Sequence, residues 1–199
     1  DYTGWQFLNR DEGRVVEAIC DTLIPPDDAG PGGKDAGCAV FIDRQLAGGY
    51  GSASGDYVQP PFMPGAVTQG YQGSDTPAAI YRKGLIGLGK LVAAQHDGKG
   101  FADLAAEDQV KLLQSLEDGS ATFDGEVSAT LFFNTILTDT KTGYFADPIY
   151  GGNKDMAAWK MIGFPGARYD YRDWVSRHNE VYPLPPVGLT GRAEWNRKG

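Results

Sequence analysis

The sequence predicts an all-α fold, a compact helical domain of about five helices with long Gly- and Pro-rich loops and an extended C-terminal arm. Three observations carry this. Apolar residues recur at helical spacing in five separate stretches, several stretches open on recognisable caps, and none alternates as a half-buried strand would. The 199 residues suit one domain, and 28 glycines with 12 prolines leave much of the chain for loops and extended segments.

Asn9 and Glu12 form a capping-box pattern ahead of Val15, Val16, Ile19, Cys20 and Leu23, which predicts a helix over about 10 to 23, stopped at Ile24-Pro25-Pro26. Val40, Phe41, Ile42 and Leu46 support a shorter helix over about 36 to 47. Residues 48 to 75 show no period. They are rich in glycine and proline, yet Tyr50, Tyr57, Phe62 and Tyr71 predict an ordered loop packed against something. Thr76-Pro77 is a cap followed by proline at the first helical position, and a helix is expected from Ala78 to Gln95. Gly84, Gly87 and Gly89 inside it mark close approach of a neighbouring helix. Their spacing is not a dinucleotide fingerprint, and no strand precedes them.

Asp103 or Ala105 opens a fourth helix with Val110, Leu112, Leu113 and Leu116, ending near Gly119. The fifth runs from about Glu126 to Thr140 with Val127, Leu131, Phe132, Ile136 and Leu137. This divides the chain into a helical domain, 1–142, and a Gly- and aromatic-rich segment, 143–199, with at most a short helical turn near Lys154 to Met161. Tyr182-Pro183-Leu184-Pro185-Pro186 is polyproline-like. An apolar arm of this kind must wrap its own domain or be buried by a partner.

The net charge of −8 disfavours nucleic acid and anionic lipid as partners. The longest apolar runs, such as Leu131-Phe132-Phe133, are far too short for direct membrane insertion. Residue 1 is Asp with no charged or apolar leader after it, so a targeting segment is expected to be absent or already removed. Cys20 and Cys38 bracket a Pro-, Gly- and Asp-rich loop. A disulfide there would contribute about 3 kcal/mol; two separate buried thiols fit the sequence equally well, because spacing does not establish the Cα approach.

Catalytic templates are not met. Gly51-Ser52-Ala53-Ser54-Gly55 lacks the central serine of a nucleophile elbow. His96 and His178 are far apart, and without a paired CxxC no zinc site is spelled out. Asp170 and Asp173 beside Arg168 and Arg172 read as solvated ion pairs rather than a glycosidase pair. Trp5, Trp159, Trp174 and Trp195 could stack on sugars or anchor a protein interface. No catalytic, cofactor-binding or metal residue is assigned. A binding or structural subunit fits best, with a stand-alone carbohydrate-binding or carbohydrate-active protein using Trp and Asp as the alternative.

Residues 143 to 155, GYFADPIYGGNKD, followed by AWKMIGFPGA at 158 to 167, resemble the signature of the gluconate 2-dehydrogenase subunit 3 family. Asp21-Thr22-Leu23-Ile24-Pro25 is similar to the end of that family's first helix. The resemblance spans most of the chain and is weakest over 48 to 75. It implies the small, or gamma, subunit of a flavin-dependent sugar or polyol dehydrogenase, without a redox cofactor of its own. The implied partners are a large FAD-carrying catalytic subunit of the glucose-methanol-choline type, in many complexes with an iron–sulfur cluster, and a c-type cytochrome subunit with haem c. The implied location is periplasmic, at the outer face of the bacterial cytoplasmic membrane, reached by twin-arginine export with this chain as escort.

That export context favours a Cys20–Cys38 disulfide. The expected anchors of the partner interface are Phe145, Tyr150, Trp159 and Phe164. Gly151, Gly152, Asn153 and Pro165 are expected in the same interface, the Gly-rich stretch letting backbone approach the partner closely, and Trp174 and Tyr182 would make contacts from the arm. The alternative is that Gly151, Gly152, Gly163 and Gly166 only fit the loop to its own helical core.

Overall fold

The structure is a computed structural model and describes residues 4–125 and 127–191. Among these residues there are six α-helices joined by loops and short 3-10 turns, and no β-strand, so the all-α prediction holds. Helix α1, Arg10–Leu23, opens on the expected capping box: Asn9 Oδ1 accepts the Glu12 N–H at 2.9 Å and Glu12 Oε2 accepts the Asn9 N–H at 2.8 Å. It buries Val16, Ile19 and Cys20. Helix α2, Cys38–Ala47, starts two residues later than expected because Gly37 caps it in the left-handed region, φ 81°. Gly37 also has no room for a side chain, since a Cβ would meet the Gly151 carbonyl oxygen at 2.7 Å.

Helix α3, Pro77–Gln95, begins at the Thr76 cap, and two of its three glycines meet aromatic rings. Phe132 lies over Gly84 and Phe123 over Gly87, while Gly89 faces open space. The close approach expected there is therefore made by one residue of a neighbouring helix and one of a loop. Helix α4, Ala106–Glu117, follows a 3-10 turn at Phe101–Asp103.

Helix α5, Ala129–Phe145, is capped by Ser128 and packs on α1, α2, α3 and α4. Its buried face, including Phe132, Phe133, Ile136 and Tyr144, makes it the central element. It runs five residues past the expected end, so the proposed boundary at 142/143 falls inside a helix. Helix α6, Ala157–Ile162, then returns against α5, with Ala158 in the main core. The beginning of the C-terminal segment is thus part of the helical body.

Two buried carboxylates tie distant segments together. Asp43 of α2 accepts the N–H groups of Gln6, Phe7 and Leu8 at 2.8, 2.9 and 2.8 Å, strapping the chain ahead of α1 onto the bundle. Arg82 of α3 completes the strap: its guanidinium lies 3.9 Å from the Phe7 ring centroid, donates to the Phe7 carbonyl and pairs with Glu12. Asp139 of α5 accepts the hydroxyls of Tyr50 and Tyr81, each at 2.9 Å. Burial raises its pKa, and the two tyrosine hydrogen bonds oppose that rise.

The loop over 48 to 75 differs from expectation. All four of its rings are exposed, and Tyr50 alone is tied to the core, through Asp139. No helix among the described residues is long and apolar enough to cross a membrane.

Candidate functional site

The segment from Phe145 to Phe164 leaves α5, makes a tight loop and returns through α6. Asp147 begins the loop: its Oδ1 accepts the Ile149 N–H at 3.0 Å, capping the 3-10 turn Pro148–Tyr150. Gly152 then lies flat on α5, where a Cβ would overlap the Gly143 backbone, so any larger residue must push the loop away. Asn153 is fully buried, with Nδ2 donating to the Ala146 carbonyl at 2.9 Å and Oδ1 accepting the Ala158 N–H at 3.0 Å. Lys154 donates its N–H to the Ala36 carbonyl at 3.0 Å, fastening the loop to the start of α2. Asn153, Asp155 and Met156 all have positive φ, 45°, 57° and 55°. Such conformations persist only where surrounding contacts over-determine them.

Trp159 lies at the base of the segment. Only 6% exposed, it donates Nε1–H to the Phe145 carbonyl at 2.8 Å and takes the Phe164 ring edge-on, with centroids 5.1 Å apart. It is therefore a scaffold under the surface and not one of its anchors. Gly152 and Asn153 are likewise buried and act from beneath. Phe145, Tyr150 and Phe164 project outward, 43%, 48% and 45% exposed, as an interface anchor must. Ile149, Met161 and Ile162 are exposed beside them in sequence, and the sequence reading overlooked all three. The signal was available for two of them: Ile149 precedes Tyr150 and Ile162 precedes Gly163 of the signature.

The arm folds on itself. Gly166 and Val187 form an isolated parallel bridge, with the Ala167 N–H donating to the Val187 carbonyl at 2.7 Å. Inside the closed loop Tyr182 packs against Tyr171 and Trp174, with centroids 5.6 and 5.2 Å apart, and Arg177 lies over Trp174. Arg168 donates to the Pro185 carbonyl at 2.8 Å. The Leu189 N–H returns to Asp147 Oδ2 at 2.7 Å, so one carboxylate holds both the signature loop and the arm. Trp174 and Tyr182 thus stabilise the arm internally, and Pro165 supplies the carbonyl for Val187. The arm's exposed large apolar residues are Tyr169, Val175, Val181, Leu184 and Leu189.

Cys20 and Cys38 are both free and buried, so the expected disulfide is not formed in this structure. Cys20 Sγ instead faces Thr140 Oγ1 of α5 at 3.4 Å. Burial pushes the Cys20 thiol far above its usual range and the Cys38 thiol up to about 12, so neither is a thiolate at neutral pH.

The tryptophans among the described residues do not converge on one exposed face. Trp159 is buried, Trp174 is packed on Tyr182, Trp5 covers Gly13 of α1, and Trp195 lies outside the described residues. Asp170 pairs with Arg172 in solvent, as the sequence suggested, and Arg172 holds its carboxyl below the usual range. No group of three His, Cys, Asp or Glu side chains among the described residues could hold a metal ion. The α3 glycines lie mid-helix, two of them under aromatic rings, and form no phosphate cradle.

No curated protein and no solved structure matches the chain. The model of one family, described as gluconate 2-dehydrogenase subunit 3, matches residues 10–166, from the first residue of α1 to the glycine that closes the signature segment. With that match covering more than half of its length, the chain belongs to the gluconate 2-dehydrogenase subunit 3 family.

Proposed function

We propose that the chain is a non-catalytic small subunit that binds, stabilises and escorts the large FAD-containing subunit of a sugar or polyol dehydrogenase. That partner is of the glucose-methanol-choline type and carries the flavin and, in many such complexes, an iron–sulfur cluster. A c-type cytochrome completes the complex at the outer face of the cytoplasmic membrane. The observation that carries the reading is the signature segment: a loop pinned to the core presents exposed apolar side chains. Phe145, Ile149, Tyr150, Met161, Ile162 and Phe164 stand in water in the isolated chain. Aromatic and aliphatic side chains held on a preorganised support are the usual anchors of a protein interface.

The division of labour is physically coherent. A flavoprotein that acquires its cofactor before export crosses the membrane folded, and a tightly bound partner can carry the address for both. The chain's own residues contribute binding area and no redox group.

The test is co-expression of the chain with and without the flavoprotein subunit, followed by size-exclusion chromatography monitored for protein and flavin absorbance. Co-elution of the two chains, with soluble flavoprotein lost when the small chain is omitted, is the expected result. Ile149→Asp with Ile162→Asp should abolish co-elution while the purified variant keeps the helical signal and unfolding midpoint of the parent, since both side chains are exposed. A flavoprotein equally soluble and active alone would refute the proposal.

A further inference from the structure

The α2–α3 loop is not used by the signature surface, yet it carries the most unusual composition in the helical body. Together with the start of α3 and one side of α5 it walls a cavity of about 590 Å3, within the range of ligand and side-chain pockets. Two rings are fixed in its wall. Tyr50 donates to the buried Asp139 carboxylate at 2.9 Å. Tyr71 folds under Gly73, where its Oη accepts the Asp75 N–H at 3.1 Å. Ile80, Leu131 and Thr135 line the helical side, while Tyr57, Phe62 and Met63 line the loop side.

The charge of the wall is one-sided. Among the described residues no Lys, Arg or His lines it, whereas Asp56 and Asp75 do. Asp75 is met by Lys83 Nζ at 2.9 Å. Asp56 is exposed and has no ion pair among the described residues. Aromatic faces present the negative end of their quadrupoles. The Tyr50 hydroxyl proton is committed to Asp139, so its oxygen can only accept from whatever enters. Rings, a lone carboxylate and an accepting phenol together select a cation on an apolar stem that brings its own N–H donors.

The rim indicates how that cation arrives. Tyr57 is 90% exposed and Met63 69% exposed, so much of the apolar rim lies outside the reach of a small molecule seated in the cavity. A polypeptide lying across the rim would cover both. The geometry points to a receptor pocket for an arginine side chain presented by an extended segment of a partner polypeptide. Arginine fits better than lysine because its planar guanidinium stacks on aromatic faces while donating in plane. The inference rests on the reading of this chain as a subunit, and it assigns the α2–α3 loop a contact separate from the signature segment.

The test is calorimetric titration of the full chain, at low salt so that charge is little screened, with the capped pentapeptide Gly-Pro-Arg-Pro-Gly. The same peptide with citrulline in place of arginine, and methylguanidinium alone, form the other arms. Saturable binding of the arginine peptide is expected on the order of 0.1–1 mM, with about tenfold weaker binding of the citrulline peptide. Asp56→Asn and Tyr57→Ala should each weaken the arginine peptide several-fold without moving the thermal midpoint, since both side chains are exposed. Equal binding of both peptides, or no saturation by about 10 mM arginine peptide, overturns the assignment. Methylguanidinium binding as tightly as the peptide overturns the polypeptide part of it. Failure to co-elute with a flavoprotein would defeat the subunit reading and leave this titration interpretable, so the two failures are distinct.

Discussion

Replacing Asp43 tests how the chain ahead of α1 is held. Its carboxylate takes three backbone N–H groups, Phe7 and Leu8 on Oδ1 and Gln6 on Oδ2. Hydrogen bonds to a charged group contribute roughly 1.5–3 kcal/mol each. A simple sum overstates the loss, because a freed strap can lift off and hydrate. The ceiling is then the value of the strap itself: the burial of Leu8, about 1.5–3 kcal/mol, the partial burial of Trp5 and Phe7, and the Arg82 contacts with Phe7. Asp43→Ala should therefore cost about 3–5 kcal/mol, a large share of a typical stability of roughly 5–15 kcal/mol. Asp43→Asn can keep its carbonyl on Phe7 and Leu8 but sets an NH2 group against the Gln6 N–H, at a cost of about 1–3 kcal/mol. Urea unfolding would read both values, and native-state hydrogen exchange would show amides 6 to 8 losing protection first. A cost below about 1 kcal/mol for Asp43→Ala, with exchange at 6 to 8 unchanged, would refute the reasoning.

Three further outcomes follow from packing and ionisation. Gly152→Ala must displace the signature loop from the Gly143 backbone and should cost about 1–3 kcal/mol; an unchanged unfolding midpoint would contradict that contact. Because burial raises the Asp139 pKa, the native chain binds that proton more tightly than the unfolded chain. The stability contribution of this group should thus fall as pH rises from the ordinary carboxylate range through its native pKa. Asp139→Asn should remove this slope, and a parent-minus-variant stability difference independent of pH would refute the assignment. Both thiols should resist a thiol reagent in the native chain at neutral pH and become reactive on unfolding without reductant. If none reacts until reductant is added, the cysteines are paired after all.

Much of the helical scaffold was legible in the sequence because its signals are local. The Asn9/Glu12 box, the Thr76-Pro77 start and the apolar spacing of α1 lie within windows of four to fourteen residues, and each is reproduced in the structure. Ends were less legible. Helix α5 runs on to Phe145 because Gly143 and Tyr144 find room and partners there: Phe41 of α2 packs over Gly143, and the Tyr144 hydroxyl reaches the Pro31 carbonyl at 2.8 Å. No local rule announces a partner more than a hundred residues away.

The signature segment shows the same division. Its composition alone marked 143 to 167 as unusual, and its aromatic residues as candidates for an interface. Only the tertiary structure decided that Trp159 turns inward to the Phe145 carbonyl while Phe164 keeps an exposed face, and that Trp174 and Tyr182 meet edge-on within the arm. It also decided that Cys20 meets Thr140, and that Asp43 and Asp139 are buried structural anchors. Local spacing sets backbone propensity and periodicity. Which side of a loop faces the core is set by competition among all the groups that could fill the same space, and that competition exists only once the chain has closed on itself.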